Sequence, residues 1–234
     1  MSLMIEIIGC RLRRRKVVTA QAVQNWTHTR KLFRKRTMKN ALTPQEPPRQ
    51  DRRVLRTREA LRNALLELMV ERGWDGVDIQ SLCERANIGR STFYLHYPNK
   101  EELLKGSFGD LRFALHEQAL RSGERRPDQL AFVGGLIEHV HQQQQVFRAI
   151  LGRRSGHFVQ DRFRELLVEL VTDERPTGAR RSWQSHAVAN CLAGALFQLL
   201  TWWLGASRPQ RPQEIEALFH ALSRPILQTA KHPG

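Results

Sequence analysis

The side chains best suited to chemistry lie between residues 90 and 100, and the chemistry that they suit is non-covalent. Arg90 can donate two hydrogen bonds to a guanine edge, and Leu95 can contact a thymine methyl group. A small side chain such as Ser91 lets a helix come close to base edges. Four neighbours suit phosphate oxygens, which fix register without reading sequence: Thr92, Tyr94, His96 and Lys100. Together these side chains predict a surface that recognises nucleic acid.

Covalent and metal chemistry are not indicated by the rest of the chain. Cys10, Cys83 and Cys191 are far apart in sequence and form no CxxC pair. His139 and His141 are two residues apart on a predicted helix, so they point to nearly opposite sides and suit shared metal ligation poorly. No HExxH, GxSxG or phosphate-binding glycine loop is present. The sequence therefore predicts a protein that is not an enzyme and needs neither metal nor cofactor, and so few cysteines suit a reducing cytoplasm.

Two short helices and the start of a third are predicted to position the recognition side chains, over residues 78–103. Asp78 precedes the first helix and can cap its free N–H groups. Residues 87–89 break the periodicity with turn-forming side chains, Pro98 ends the second helix, and Asn99 can cap the third. The first helix is marked by an apolar stripe at helical spacing: Ile79, Leu82, Cys83 and Ala86.

The second of these helices has two distinct faces. At helical spacing Phe93 and Tyr97 share one side, one turn apart, while Ser91, Thr92 and Leu95 lie on the other. A helix–turn–helix of this build can place its second helix in the major groove of DNA. The alternative is a plain helical hairpin whose aromatic side chains are all core.

The run from Thr57 to Leu104 resembles the DNA-binding domain of the TetR/AcrR repressor family. The resemblance covers a first helix ending in Glu71-Arg72-Gly73-Trp74, the two helices above, and Tyr97-Pro98-Asn99-Lys100. It implies base readout by Arg90 and Ser91, and it implies backbone contacts from the four phosphate-suited residues already named. It also implies that Gln80 and Ser81 approach DNA. The predicted DNA-binding set is therefore Gln80, Ser81, Arg90, Ser91, Thr92, Tyr94, Leu95, His96 and Lys100.

Two positions depart from the family pattern. Val77 and Asp78 stand where the family usually has Thr or Ser. An aspartate there caps the helix well but repels phosphate, so a backbone contact from Asp78 is not expected.

The net charge of +15 points to a polyanionic partner, but most of it lies near the N-terminus. Residues 1–50 hold twelve Lys and Arg against two Glu, so ten of the fifteen net charges fall there. We expect residues 1–50 to be a disordered basic extension and linker, with a start at Met38 as another origin of the excess length. The alternative hypothesis is an arm that follows DNA and adds salt-dependent affinity.

The remaining periodicity is helical throughout, which predicts an all-α fold. Its parts are a three-helix helix–turn–helix domain over residues 51–105 and a larger helical effector-binding and dimerisation domain over 106–234. The run 182–205 is apolar on nearly every side and long enough to cross a bilayer. Asn190 and Gln198 within that run, and an amphipathic helix after it, favour a buried core helix and no membrane association.

In the TetR family the last two helices pair with those of a second subunit as a four-helix bundle, so the resemblance implies a homodimer. Two helix–turn–helix units about one turn of DNA apart would meet a palindromic operator. On the last helix we predict one apolar face formed by Ile215, Leu218, Phe219, Leu222 and Ile226. The predicted interface residues are Ala189, Ala193, Leu196, Leu200, Leu218 and Leu222.

The resemblance also implies an effector cavity in the C-terminal helices, with the effector itself unknown. Binding there would shift the helix that joins the domains and spread the two DNA-binding units. The alternative for each candidate is ordinary core packing. The candidate lining residues are Phe132, His139, Phe147, Phe158, Trp183 and Trp202.

The resulting prediction is a cytoplasmic, dimeric transcriptional regulator that binds double-stranded DNA, most simply a repressor released by a small molecule. The alternative is a nucleic-acid-associated interaction protein of the same fold without effector control. The two differ in one observable, because a regulator binds one site far more tightly than random DNA.

Overall fold

A computed structural model describes residues 49–122, 128–152, 156–175, 182–207 and 210–229, and these ranges contain nine helices and no strand. The predicted all-α fold is confirmed. The prediction for residues 1–50 lies almost wholly outside these ranges. The helices are α1 Arg49–Arg72, α2 Ile79–Ala86, α3 Arg90–His96, α4 Lys100–Ser122, α5 Phe132–Gln142, α6 Gln144–Leu151, α7 Gly156–Asp173, α8 Trp183–Gly205 and α9 Pro212–Thr229.

The helices form two compact units. The first contains the described residues up to Leu104 together with Gln142–Ala149, and the second contains the described residues of Lys105–His141 and from Ile150 onward. The division after Leu104 falls inside α4. The sequence analysis assigned residues 142–149 to the C-terminal domain, whereas here they cluster with the first unit.

The first unit is built on the apolar side of α1, which packs against α2. An apolar stripe on this helix is buried, formed by Leu61, Leu65, Leu68 and Met69. Gly73 then takes a φ of 76°, a left-handed conformation that glycine adopts at little cost, and its N–H donates to the Met69 carbonyl at 3.0 Å. This ending turns the chain so that α2 can start at Ile79, six residues after Gly73.

In the second unit, α4, α7 and α8 share an aromatic core. The ring centroids of Phe108 and Phe163 are 5.8 Å apart, and those of Phe163 and Phe197 are 6.3 Å apart. Arg112 on α4 also reaches across to α7, where it pairs with Glu169 and Asp173 at 2.7 Å each. These contacts fasten α4 to α7 in this unit.

The start of α5 is capped from a distant part of the chain. The Glu174 carboxylate, just after α7, accepts hydrogen bonds from the N–H groups of Ala131 and Phe132 at 2.6 and 2.8 Å. A carboxylate at a helix N-terminus satisfies donors that have no partner within the helix, and it complements the helix dipole. Helix α5 ends at Gln142 and α6 begins at Gln144, so that Gln143 separates the two helices.

One helix within the described ranges, α8, is long and apolar enough to cross a membrane, and 44% of its most apolar window is buried in the protein. Ser182 caps it by accepting from the Ser185 N–H at 3.2 Å. One side of α8 packs on α7. The opposite side is exposed although it consists mostly of small and apolar residues, among them Ala187, Cys191, Ala195 and Trp202.

Helix α9 buries only part of its apolar face in its own chain. Pro225 lies inside the helix and does not end it, and the helix continues to Thr229. Ile215 and Phe219 are buried, whereas Leu218 and Leu222 are exposed. At about 100° per residue, the buried face is offset by roughly a quarter turn from the apolar stripe. Part of that stripe therefore lies outside the core of its own chain.

Candidate nucleic-acid interface

The start of α2 is fixed by a reciprocal cap between Asp78 and Ser81. Asp78 accepts from the Ser81 N–H at 2.8 Å, while the Ser81 hydroxyl donates to the Asp78 carbonyl at 3.0 Å and lies 3.4 Å from the Asp78 N–H. The Ser81 N–H lowers the pKa of Asp78 below its usual value. The predicted cap is thus present, and the Ser81 hydroxyl predicted to approach DNA is engaged in it.

The turn between α2 and α3 depends on Asn87. This residue takes φ 54° and ψ 49°, and its N–H donates to the Glu84 carbonyl at 3.2 Å. Asparagine tolerates the left-handed region better than most non-glycine residues. The next N–H, of Ile88, returns to the Cys83 carbonyl at 2.9 Å. These bonds close α2 and set the direction in which α3 leaves.

Helix α3 has an exposed face, which bears predicted recognition residues, and a buried aromatic anchor. Phe93 is 0% exposed and its ring lies 5.4 Å from that of Tyr94 and 6.3 Å from that of Tyr97. On the other side Leu95 is 83% exposed, and Arg90 and Ser91 are exposed as well. An 83% exposed leucine gains nothing from the core of its own chain, which is the arrangement that contact with a base methyl group requires.

Thr92 and His96 are half-buried at the sides of this face. Burial, and secondarily the charge of Arg58, lower the pKa of His96 below its usual value. The lowered pKa favours the neutral imidazole in the DNA-free chain, and a neutral imidazole can still offer one N–H to a phosphate oxygen.

Arg90 and Gln80 contact each other, so the two helices of the motif meet at their predicted DNA-facing ends. Arg90 Nη2 donates to Gln80 Oε1 at 2.7 Å, and Gln80 Nε2 donates to Glu84 Oε1 at 2.9 Å. All three side chains are exposed. Glu84 is not among the predicted DNA-binding residues, although its spacing of four residues from Gln80 places the two on one helix face.

Lys100 is anchored within the first unit. Its ammonium donates to the carbonyl oxygens of Val77 and Trp74 at 2.8 and 3.2 Å, and it lies 4.5 Å from the centre of the Trp74 ring. Two of the three ammonium donors are thus used in holding the loop before α2. The predicted phosphate contact would have to use the third.

An ion-pair cluster around Arg85, which the sequence did not predict, joins α1 and α2. Arg85 donates to Glu67 at 3.0 Å and to Glu71 at 2.8 Å. These partners are 18 and 14 residues away, so no local spacing rule indicates them.

The six predicted effector-lining residues differ in burial and in the compact unit to which they belong. Phe132 and His139 are buried in the second unit, whereas Phe147 belongs to the first. Phe158 is half-buried beside Arg162, and Trp183 and Trp202 are 75% and 52% exposed. Among the residues that the structure describes, no three His, Cys, Asp or Glu side chains are grouped so that they could hold a metal.

The predicted interface residues fall into two groups. The four on α8, which are Ala189, Ala193, Leu196 and Leu200, are at most 1% exposed within their own chain. A side chain that its own chain already buries cannot also face a partner, so the free face of α8 is the opposite one. Leu218 and Leu222 on α9 are exposed, as an interface requires.

The helix–turn–helix lies within the part of this chain that matches a known protein family. Residues 61–106 match the model of the bacterial regulatory proteins, tetR family. The uncharacterized HTH-type transcriptional regulator YxbF of Bacillus subtilis is 52% identical over 56 residues, which span 24% of this chain and 15% of YxbF. The HTH-type transcriptional regulator TcmR of Streptomyces glaucescens is 27% identical over 192 residues, which span 79% of this chain and 77% of TcmR. The solved TetR transcriptional regulator from Streptococcus agalactiae shares the fold, with a TM-score of 0.55 at 24% identity over 75% of this chain and 97% of that one.

Proposed function

The chain belongs to the tetR family of bacterial transcriptional regulators, and on that premise we propose that it is a repressor that binds a palindromic operator as a homodimer and is released by a small molecule. Its place of action is then the cytoplasm, where operator DNA is found. The family also makes it a DNA-binding regulator and not an enzyme.

The recognition face of α3 gives the main support for operator binding. Buried Phe93 fixes the helix, and Leu95 projects to 83% exposure beside Arg90. Arginine discriminates guanine by paired hydrogen bonds, and an apolar side chain discriminates thymine. A face that combines the two is suited to reading a sequence and not only to binding a polyanion.

Two exposed apolar faces support the homodimer. Trp202 on α8 is 52% exposed, and Leu218 and Leu222 on α9 are 43% and 63% exposed. Apolar side chains grouped on a surface indicate contact with another protein surface. Ala187 and Ala195 on the same side of α8 are small enough for helices to approach closely.

The effector step rests on the family resemblance. From the predicted lining, Phe132 and His139 are buried in the second unit and are retained as candidates. An effector that favours the DNA-free arrangement of a two-state dimer would weaken operator binding.

Selection of bound sites from a random DNA pool tests the proposal. We expect one palindromic site, bound about a thousandfold or more tightly than random DNA at physiological salt. Arg90→Ala should relax the preference at one position of each half-site. Uniform affinity across sequences would instead support the alternative, an interaction protein that binds nucleic acid without effector control.

A reporter promoter that contains the selected site then tests the direction of regulation. Repression predicts lower expression in the presence of the protein, and an increase would show activation instead. Small molecules that restore expression would identify the effector class.

A further inference from the structure

We propose that Glu84 and Gln80 are positioning residues that orient Arg90 for reading one base pair. This inference rests on the proposed sequence-specific DNA binding. The three side chains form a continuous hydrogen-bonded row, Glu84–Gln80–Arg90, with donor–acceptor distances of 2.9 and 2.7 Å. The same side chains line a groove at the turn between α2 and α3.

The Gln80 amide has only one favourable orientation in this row. Its NH₂ group faces a carboxylate and its carbonyl oxygen faces a guanidinium. Turning the amide over would place oxygen against oxygen at one end and donor against donor at the other. Both bonds involve a charged group, which makes each stronger than a bond between neutral groups. Glu84 therefore fixes the amide, and the amide fixes Arg90.

The row leaves Arg90 able to recognise a base. Its guanidinium has five N–H donors, and the bond to Gln80 uses one of them. A bidentate contact to guanine needs two more. A long arginine side chain loses rotamer freedom when it binds, and an existing bond to the protein reduces that loss. The row thus favours the bound rotamer before DNA arrives.

Without such a role, a carboxylate at position 84, beside Gln80 and Arg90, would be unfavourable for DNA binding. A carboxylate close to DNA repels phosphates and lowers the affinity for every sequence alike. A role in orienting Gln80 explains why a carboxylate lies beside two DNA-facing side chains. Removing Glu84 should therefore have two opposite effects, a gain in affinity for random DNA and a loss of preference at the base pair that Arg90 reads.

The test compares Glu84→Ala, Glu84→Gln and Asp75→Asn in the full chain. All three remove one negative charge. Asp75→Asn leaves Glu84 intact, and of the two Glu84 variants only Glu84→Gln keeps an oxygen that can accept from Gln80. Asp75 is an exposed residue of the loop between α1 and α2 and serves as the charge control. Affinities are measured for the selected site, for random DNA, and for the site changed at the base pair whose preference Arg90→Ala abolishes.

We expect Glu84→Ala to reduce the preference at that base pair about three- to tenfold, which is part of the effect of losing Arg90 itself. Glu84→Gln should lose less, while both variants bind random DNA more tightly to the same extent. Asp75→Asn should leave the preference unchanged. In the Arg90→Ala background, Glu84→Ala should no longer change the preference at all.

An unchanged preference in Glu84→Ala, with the wild type still selective, would overturn the positioning role and leave the proposed function intact. A wild type without any preference would overturn both. Thermal unfolding of each variant identifies loss of fold. NMR of the Gln80 side-chain amide, assigned by the absence of its resonances in Gln80→Ala, gives a measurement without DNA. These resonances should shift in Glu84→Ala, and unchanged resonances would show that the hydrogen-bonded row does not form.

Discussion

The ammonium of Lys100 lies against the carbonyl oxygens of Trp74 and Val77 and over the Trp74 ring. The sequence indicated a phosphate contact for this lysine, and the structure adds a role in holding the loop that precedes α2. One side chain can do both because an ammonium has three donors. Substitution of Lys100 is therefore expected to change stability as well as DNA affinity.

We expect Lys100→Ala to lower the free energy of unfolding by about 1–3 kcal/mol, the range for hydrogen bonds to a charged group. It should also weaken binding to all DNA sites alike. Urea unfolding and binding titrations measure the two effects. Lys105→Ala, an exposed lysine on the same helix, is the control and should change stability by no more than about 1 kcal/mol. Equal unfolding curves for Lys100→Ala and wild type would exclude the anchoring role.

The left-handed conformation of Asn87 leads to a second expectation. Asn87→Ala should destabilise the chain by about 1 kcal/mol, because an alanine Cβ is unfavourable at φ 54°. Asn87→Gly should be neutral or stabilising, because glycine has no Cβ. Chemical denaturation of the two variants measures their free energies of unfolding. An Asn87→Ala variant more stable than Asn87→Gly would contradict the expectation.

At the scale of residues, the sequence predicted what depends on near neighbours. The Asp78 cap, the Asn99 cap and the opposite positions of Phe93 and Leu95 all follow from local spacing. The anchoring of Lys100 joins positions 23 and 26 residues apart, and Glu174 caps a helix 42 residues away. Such contacts depend on how helices pack, and no periodicity contains that information.

Among the helices, α8 and α9 show most clearly what an apolar pattern leaves open. Their apolar residues were correctly expected to be helical, but the sequence could not say which apolar side faces the chain's own core. Leu196 faces inward and Trp202 outward, although both lie in one continuous apolar run. When a helix is apolar all round, its sequence pattern does not indicate which side faces the core. For α8 the packing against α7 determines that side.

Helix α5 carries a titratable group inside the core. Burial lowers the pKa of His139 to about 4, from an ordinary value of 6.5. The unfolded chain therefore takes up this proton first as the pH falls. Its contribution to stability is complete above about pH 6.5 and is lost progressively towards pH 4, with a total of about 3 kcal/mol.

We expect His139→Gln to flatten the dependence of unfolding free energy on pH between about 4 and 6.5. His96 and His220 shift in the same direction, so the quantity to measure is the difference between wild type and variant. His157→Gln, at an exposed position of α7, is the matched control for replacing a histidine by glutamine. If the unfolding free energy of His139→Gln changed with pH as steeply as that of the wild type, His139 would not be the source of this pH dependence.

At the scale of the whole molecule, two exposed apolar faces remain on the helices proposed to join a second copy. We expect Leu222→Glu to shift the protein towards monomer and to weaken operator binding, because a charge in an apolar interface is desolvated without a partner. Sedimentation velocity measures the change. Leu120→Glu is the matched control, since Leu120 is also a half-exposed leucine, at 51%, on another helix. A Leu222→Glu dimer as stable as the wild type would exclude this face as the interface.

The assignment of Gln142–Ala149 to the first compact unit has a consequence for exchanging modules between regulators. The DNA-binding unit is discontinuous: the chain leaves it after Leu104, returns at Gln142 and leaves again after Ala149. A chimera that transplants only the N-terminal portion would combine a foreign helix–turn–helix with the recipient's own Val146 and Phe147, both of which are buried. A functional graft would need to take both pieces of the unit from one parent.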